Sequence, residues 1–153
     1  MESITDIVAS HPFTKDLEPR FIHLLTERAT LEHFRTDQPL FEEGFEANKF
    51  YLVRSGQIAI QVFVPGQGTT TIQTMGPGEC VGWSWLFPAR HWHCSAVAIE
   101  PSDVVTMESG RLRFEMEADH DFGYAMAMRV GKLMMDRLQA SLDRVLHLYA
   151  VPS

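Results

Sequence analysis

Hydrophobic residues near the N-terminus recur at the spacing of an α-helix. The apolar positions that share one helical face are Leu17, Phe21, Leu24 and Leu25. Pro19 falls where the first turn of a helix tolerates proline. The pattern predicts a helix over Asp16 to Thr30.

A different pattern covers about residues 31–107, where short β-rich runs alternate with glycine and proline. The runs read LEHFRT, KFYLVRSG, QIAIQVFV, TTTIQTM, SAVAIE and DVVTME, and glycines at positions 44, 56, 66, 68, 76, 78 and 82 mark the turns. Within QIAIQVFV both faces are fairly apolar, as expected for a strand covered on each side. Several short strands at close spacing are typical of an all-β sandwich, roll or barrel.

Strand alternation stops near Ser109, and about residues 111–150 are predicted to be helical. Ser109 and Asp119 are residue types that cap helix N-termini. In the final helix, Asp121 to Ala150, an apolar stripe follows three- and four-residue steps through Met135, Leu138, Leu142, Val145 and Tyr149. The opposite side carries Asp136, Arg137, Asp143 and Arg144.

This stripe has two interpretations. It can pack against the helix's own domain, or it can form a two-helix seam with a second copy of the chain. Because the helix is long for so small a domain, the pattern favours a homodimer through the C-terminal helix.

Charge and composition narrow the function classes. The 153 residues suffice for one domain with a core, and the net charge of −7 disfavours binding to nucleic-acid phosphates. Cys80 and Cys94 lie in apolar stretches and are expected to be buried free thiols. Since neither a signal-peptide pattern nor an apolar run of membrane-spanning length is present, we expect a cytoplasmic protein without membrane contact.

Three sequence pieces resemble the cyclic nucleotide-binding domain of the Crp/Fnr type. They are PLFEEGFEANKFYLVRSGQIAI, MGPGECVGWSWLF and HCSAVAIEPSDVVTME, followed by the long helix. The resemblance covers roughly Leu17 to Tyr149. It implies a mainly β fold with flanking α-helices: a double-stranded β-helix, or β-roll of the jelly-roll kind, with an N-terminal helix and a long C-terminal helix. One such domain would occupy residues 1–153.

The second piece resembles the start of the phosphate-binding cassette that holds cAMP in members of this family. Gly78 to Gly82 fit its opening. The resemblance implies a glutamate for the ribose hydroxyl where this sequence has Trp83, and an arginine for the cyclic phosphate where it has Trp92. An indole offers one donor and no charge. Two lost charge-assisted partners, at about 3–5 kcal/mol each, would remove most of the roughly 8 kcal/mol of a micromolar affinity. Ordinary cAMP binding is therefore not expected.

Arg90 lies two residues before the lost arginine position and has two interpretations. It can swing inward and replace that arginine, or it can be a solvated loop residue. Around it, aromatic residues and histidines crowd a short stretch: Trp83, Trp85, Phe87, His91, Trp92 and His93.

These rings either fill the roll or reshape its pocket to stack on a nucleotide or other small planar ligand. In the second case the ligand-binding residues are Gly82, Trp83, Ser84, Arg90, Trp92, His93 and Ser95.

His91 and His93 also allow an alternative function. A His-x-His pair on a strand resembles the first metal motif of the cupins, because alternation puts both rings on one face. Glu100 could be a third ligand and His120 the further histidine that such a site needs, which would make the chain a metal-dependent enzyme.

The favoured function is nevertheless a non-enzymatic sensor or regulatory module, since no nucleophile–base–acid constellation is visible. It would signal through movement of the C-terminal helix against the roll. A ligand-free protein-interaction scaffold is the other alternative. The sequence ends at Ser153, where DNA-binding relatives continue into a helix-turn-helix, so DNA binding is not expected.

Overall fold

The computed structural model describes residues 2–86 and 91–150, except for the side chain of Ser84. Two helices come first, α1 (Ile4–Ser10) and α2 (Pro19–Glu27). The strands are β1 (Ala29–Phe34), β2 (Pro39–Phe41), β3 (Lys49–Ser55), β4 (Ile58–Val64), β5 (Gly68–Met75), β6 (Cys80–Val81), β7 (Ser95–Ala98) and β8 (Ser102–Glu108). A short 3-10 helix, Ser84–Leu86, follows β6, and α3 (Ser109–Ala118) and α4 (His120–Ala150) come last.

The strands form two antiparallel sheets of four strands each. One sheet has the order β1-β8-β3-β6 and the other β2-β7-β4-β5. Apolar side chains from both sheets and from the helices join in one hydrophobic core. This architecture confirms the mainly β fold with flanking α-helices, the β-roll and the long C-terminal helix.

A glycine allows the sharp turn that leads from β3 into β4. Gly56 has a φ of +92°, and a Cβ on it would lie 2.1 Å from the Oγ of Ser102. The same Oγ accepts a hydrogen bond from the backbone N–H of Gln57 at 3.2 Å. Only glycine combines this backbone conformation with so close an approach.

The predicted N-terminal helix is wrong at both ends. Asp16 has a φ of 72°, which no helix accommodates, and Pro19 is the first helical residue. Helix α2 ends at Glu27, and Thr30 belongs to β1, where it pairs with Thr106 of β8. Strand pairing therefore overrides the helical spacing in the last residues of the predicted span.

The two predicted helix caps have different outcomes. Asp119 caps α4, because its Oδ1 accepts the backbone N–H groups of Asp121 and Phe122 at 3.1 and 3.2 Å. Ser109 does not cap α3. It is the first residue of that helix, and its Oγ donates to the carbonyl of Ala47 at 3.2 Å.

Helix α4 has two distinct apolar faces. Phe122, Met126 and Val130 are fully buried against the rest of the domain. The predicted stripe lies elsewhere and is exposed, from 46% at Val145 to 87% at Tyr149. The interpretation that this stripe packs against its own domain is therefore wrong. Although α4 has 31 residues, neither it nor another described helix is apolar enough to cross a membrane.

Candidate functional site

A cavity of about 460 Å³ opens between the second sheet and α4. Its described lining is mostly apolar. The apolar part consists of Phe41, Ile60, Val62, Ile72, Met75, Cys80, Trp83, Trp92, Cys94 and Met134. Gly82, Gln73, His93 and Arg137 complete the lining. A cavity of this size, with apolar walls and few polar groups, has the properties of a small-molecule site.

Trp92 forms one wall of the cavity and is held by contacts of both its side chain and its backbone. Its side chain is 3% exposed and stacks on Phe41, with ring centroids 3.7 Å apart and planes 15° apart. Its backbone N–H donates to the carbonyl of Phe45, and its own carbonyl accepts from Gly44, both at 2.9 Å. The indole is therefore a fixed part of the wall.

Gly82 lets the Trp92 indole lie directly against the backbone. It has a φ of +86°, and a Cβ at this position would lie 2.8 Å from two ring carbons of Trp92. Gly82 and Trp92 are thus in direct contact. The indole therefore occupies the space beside the backbone turn at Gly82.

Arg137, from α4, brings a positive charge to the cavity. Its Nη2 donates to the Glu79 Oε2 at 3.2 Å, and its guanidinium carbon lies 5.7 Å from the ring centroid of Trp83. The other oxygen of Glu79 accepts the backbone N–H of Gly76 at 2.9 Å, so the carboxylate is itself fixed. The Arg137 side chain is 14% exposed. Burial lowers its pKa, and the charge of Glu79 opposes that shift, but a guanidinium remains charged at neutral pH.

The predicted ligand-binding residues are only partly brought together. Gly82, Trp83, Trp92 and His93 line the cavity. The Oγ of Ser95 instead accepts the backbone N–H of Glu43 at 2.9 Å, away from the cavity wall. Two further candidates, Arg90 and the side chain of Ser84, lie outside the described residues.

Trp85 takes no part in the cavity. It is fully buried, and its ring centroid lies 5.6 Å from that of Phe50 in the core. Its carbonyl accepts a hydrogen bond from Arg113 of α3 at 3.1 Å. Of the three tryptophans, one therefore fills the core and two shape the cavity.

The His91 and His93 pair does not have the geometry of a metal motif. His91 forms an isolated bridge with Glu46, His93 lies in a bend, and β7 begins only at Ser95. The prediction that strand alternation aligns the two rings is wrong. Within residues 2–86 and 91–150, no group of three His, Cys, Asp or Glu side chains could hold a metal ion.

Both cysteines are free thiols. Cys80 is buried and Cys94 is half-buried, and both line the cavity. Burial raises the pKa of each thiol, most strongly for Cys80, so neither is an activated nucleophile.

The sequence reasoning missed Phe41, Glu79, Met134 and Arg137. For the last two a signal existed. Met134 and Arg137 continue the helical spacing of the buried residues Met126 and Val130, on the face that docks to the roll. This relation was not recognised, because the apolar stripe on the other face of α4 is more regular.

Solved structures with the same fold include close geometric matches at low identity. A Geobacter metallireducens protein assigned to cyclic nucleotide binding is 24% identical, with a TM-score of 0.79 over 90% of this chain and 99% of its own. A cyclic nucleotide-binding domain from Methylobacillus flagellatus is 21% identical, with a TM-score of 0.79 over 98% and 84%. The sensor domain of the transcriptional regulator DNR from Pseudomonas aeruginosa is 15% identical, with a TM-score of 0.69 over 88% and 91%.

None of the curated proteins compared with the sequence matches it. Residues 31–119, from β1 to the end of α3, match the sequence profile of the cyclic nucleotide-binding domain. They include the cassette turn with Gly82 and the Trp92 wall. This match covers more than half of the chain, and the chain belongs to the cyclic nucleotide-binding domain family.

Proposed function

We propose that this chain is a non-enzymatic, ligand-sensing module of the regulatory kind, and that its cavity does not bind cAMP in the ordinary way of the family. The observation that carries the proposal is the contact of Trp92 with Gly82. A buried indole, stacked on Phe41, stands where the family resemblance implies the phosphate-binding arginine.

The chemistry of the cassette supports this. A cyclic phosphate that leaves water needs a charged fork or several N–H donors. Trp92 and Trp83 offer one N–H each and no charge. Arg137 belongs to α4 and lies outside the cassette.

The open volume supports sensing of another ligand. Trp92 lines a cavity of about 460 Å³ without filling it, and two indoles border the space. Rings of this kind stack on planar apolar groups.

Helix α4 supplies a way to transmit binding. Met134 and Arg137 line the cavity, while Met135 and Leu138, one residue further along, are 70% and 60% exposed. The exposed set continues in steps of three and four through Tyr124, Met128, Gly131, Met135, Leu138, Leu142, Val145 and Tyr149. This is the spacing of a two-helix seam, which favours a second copy of the chain as its partner. A ligand that moves α4 would alter the seam of such a cytoplasmic homodimer.

Tryptophan fluorescence tests the proposal, since the cavity holds two of the three tryptophans. The Trp85→Phe variant removes the core emitter and leaves Trp83 and Trp92. We expect cAMP and cGMP to leave its emission unchanged, and 2-naphthamide, an uncharged aromatic probe, to change it.

Thermal unfolding provides an independent readout. A ligand at a hundredfold its dissociation constant stabilises the folded state by about 2.7 kcal/mol. We expect this stabilisation from the aromatic probe and not from cAMP. A saturable response to cAMP would overturn the proposal, and the absence of any response across aromatic probes would favour the scaffold alternative.

A further inference from the structure

The cavity combines apolar walls with a single fixed cation. Among the described lining residues, Arg137 is the one with a permanent charge, and Gln73 and His93 are the other polar side chains. A buried guanidinium loses much of its hydration, and only good hydrogen-bond acceptors compensate for that loss. The position therefore selects for an anionic group on whatever occupies the cavity.

Arg137 retains donors for such a group. A guanidinium has five N–H donors, and within residues 2–86 and 91–150 one hydrogen bond, to Glu79, engages them. Because Glu79 is anchored by the N–H of Gly76, it fixes the guanidinium on one side and leaves other edges for a second acceptor. Glu79 is thus a positioning residue.

Arg137 also lies between two cavities and lines both of them. It lines the apolar cavity and, on its other side, an open polar cleft of about 570 Å³ between β5 and α4. Arg144 lines the same cleft and donates to the carbonyl of Ile72 at 2.8 Å. A ligand with its apolar body in the cavity would present its polar end to Arg137, next to water.

The charge balance favours a monoanion. Glu79 already neutralises part of the guanidinium charge, and Asp136 lines the adjoining cleft. A phosphate monoester, which is largely a dianion at neutral pH, would meet these carboxylates with one shared cation. A carboxylate matches the fork geometry of a guanidinium and carries a single charge.

We infer that the cavity binds molecules with an apolar body and one carboxylate, and that Arg137 pairs with that carboxylate. This inference rests on the proposed function, since it names the ligand class of the same cavity. The shared chemistry has two sources, aromatic acids and aliphatic acids, and the test has an arm for each.

Titration calorimetry of the full chain compares each acid with its uncharged amide: 2-naphthoate with 2-naphthamide, and decanoate with decanamide. We expect a carboxylate to bind about 10- to 100-fold tighter than its amide, as for a hydrogen bond to a charged group. The preference in either pair supports the inference and shows whether the body is a ring or a chain. Equal affinities in both pairs, or no binding of either acid, overturn it.

Variants test whether Arg137 causes the preference for the carboxylate over the amide. Arg137→Gln should abolish it, and Arg137→Lys, which keeps the charge but not the fork, should restore part of it. Lys132→Gln is the matched control, because it removes a positive charge from an exposed site on the same helix. Preference retained in Arg137→Gln would overturn the assignment. If that variant does not fold, the acid-to-amide ratio of the unmodified chain still decides.

A failure of the proposed function can be distinguished from a failure of this inference. Saturable cAMP binding would contradict the proposed function whatever the acids do. Tight binding of the amides with no gain for the acids would contradict only the present inference.

Discussion

The Arg137 guanidinium on α4 and the Glu79 carboxylate before β6 form an ion pair at 3.2 Å that joins the last helix to the roll. Arg137 is largely buried, whereas Glu79 is half exposed. Arg137 lines the cavity and both residues line the adjoining polar cleft, so the pair connects the candidate site to the helix that carries the exposed stripe. The stability of the ion pair and the access of a ligand to Arg137 are therefore linked.

Removal of the Glu79 carboxylate should destabilise the fold. Glu79→Ala leaves Arg137 without its acceptor and frees the N–H of Gly76, at an expected loss of about 1–3 kcal/mol in the free energy of unfolding. Glu79→Gln retains an acceptor for Gly76 and should lose less. Urea unfolding measures both, and equal stabilities of the two variants and the unmodified chain would contradict the role of the pair.

A pair of glycine substitutions isolates the contact between Gly82 and Trp92. Both Gly82 and Gly66 have a φ of +86°, but a Cβ at Gly66 meets nothing within 4 Å. Gly66→Ala should therefore cost only the backbone strain of a left-handed alanine, about 1–2 kcal/mol. Gly82→Ala should cost about 1–3 kcal/mol more, because the ring of Trp92 must move.

The emission of Trp92 reports the same event. Gly82→Ala should shift tryptophan fluorescence, and Gly66→Ala should leave it unchanged. Equal unfolding free energies and equal spectra for the two variants would show that the indole does not lie against this turn.

His11 should make the fold sensitive to acid. The backbone N–H of Phe13 donates to its Nδ1 at 3.1 Å, so the Nε2 carries the proton and donates to the carbonyl of Val53 at 3.0 Å. Burial lowers the pKa of this neutral imidazole below the ordinary 6.5, against a smaller raising effect of the Val53 bond. Between the lowered folded pKa and 6.5, the unfolded chain binds more protons than the folded chain.

The free energy of unfolding should therefore fall as the pH drops below 6.5, by less than about 1.4 kcal/mol per pH unit from this residue. The decline should level off below the folded pKa. His11→Gln should flatten the profile from pH 7.5 to 5.5. Superimposable profiles of His11→Gln and the unmodified chain would contradict the prediction.

The exposed stripe of α4 should determine the oligomeric state. We expect the unmodified chain to sediment at twice its mass of 17.4 kDa. Leu138→Glu should give the 17.4 kDa species, because it places a charge in the seam. Phe63→Glu is a control of similar exposure on β4 and should remain dimeric. An unmodified chain that sediments only as a monomer at micromolar concentration would contradict the homodimer.

Much of the fold was predictable because its signals are local. Turn glycines and β-rich runs located the long strands, and Asp119 marked the start of α4. Strands β2 and β6 have three and two residues, too few to show alternation, and exist because β7 and β3 pair with them. Helix α1 carried a readable capping box between Ser3 and Asp6, although its seven residues give little periodicity.

Part of the cavity lining was predictable from the family resemblance. The cassette resemblance located Gly82, Trp83 and Trp92 on the cavity wall. Arg137 was not found, because its helical spacing with Met126 and Val130 is less regular than the stripe on the other face of α4. The regular stripe of α4 was interpreted as a dimer seam, and the less regular face with Met126 and Val130 is the one that docks to the roll.

Equilibrium dialysis with labelled cAMP tests the central claim most directly, since it counts bound nucleotide per chain. With Trp92 stacked on Phe41 and lying against Gly82, we predict no bound cAMP above background at concentrations up to about 100 μM, which corresponds to a binding free energy weaker than about 5.5 kcal/mol. Saturable binding that approaches one cAMP per chain at micromolar concentration would contradict the account.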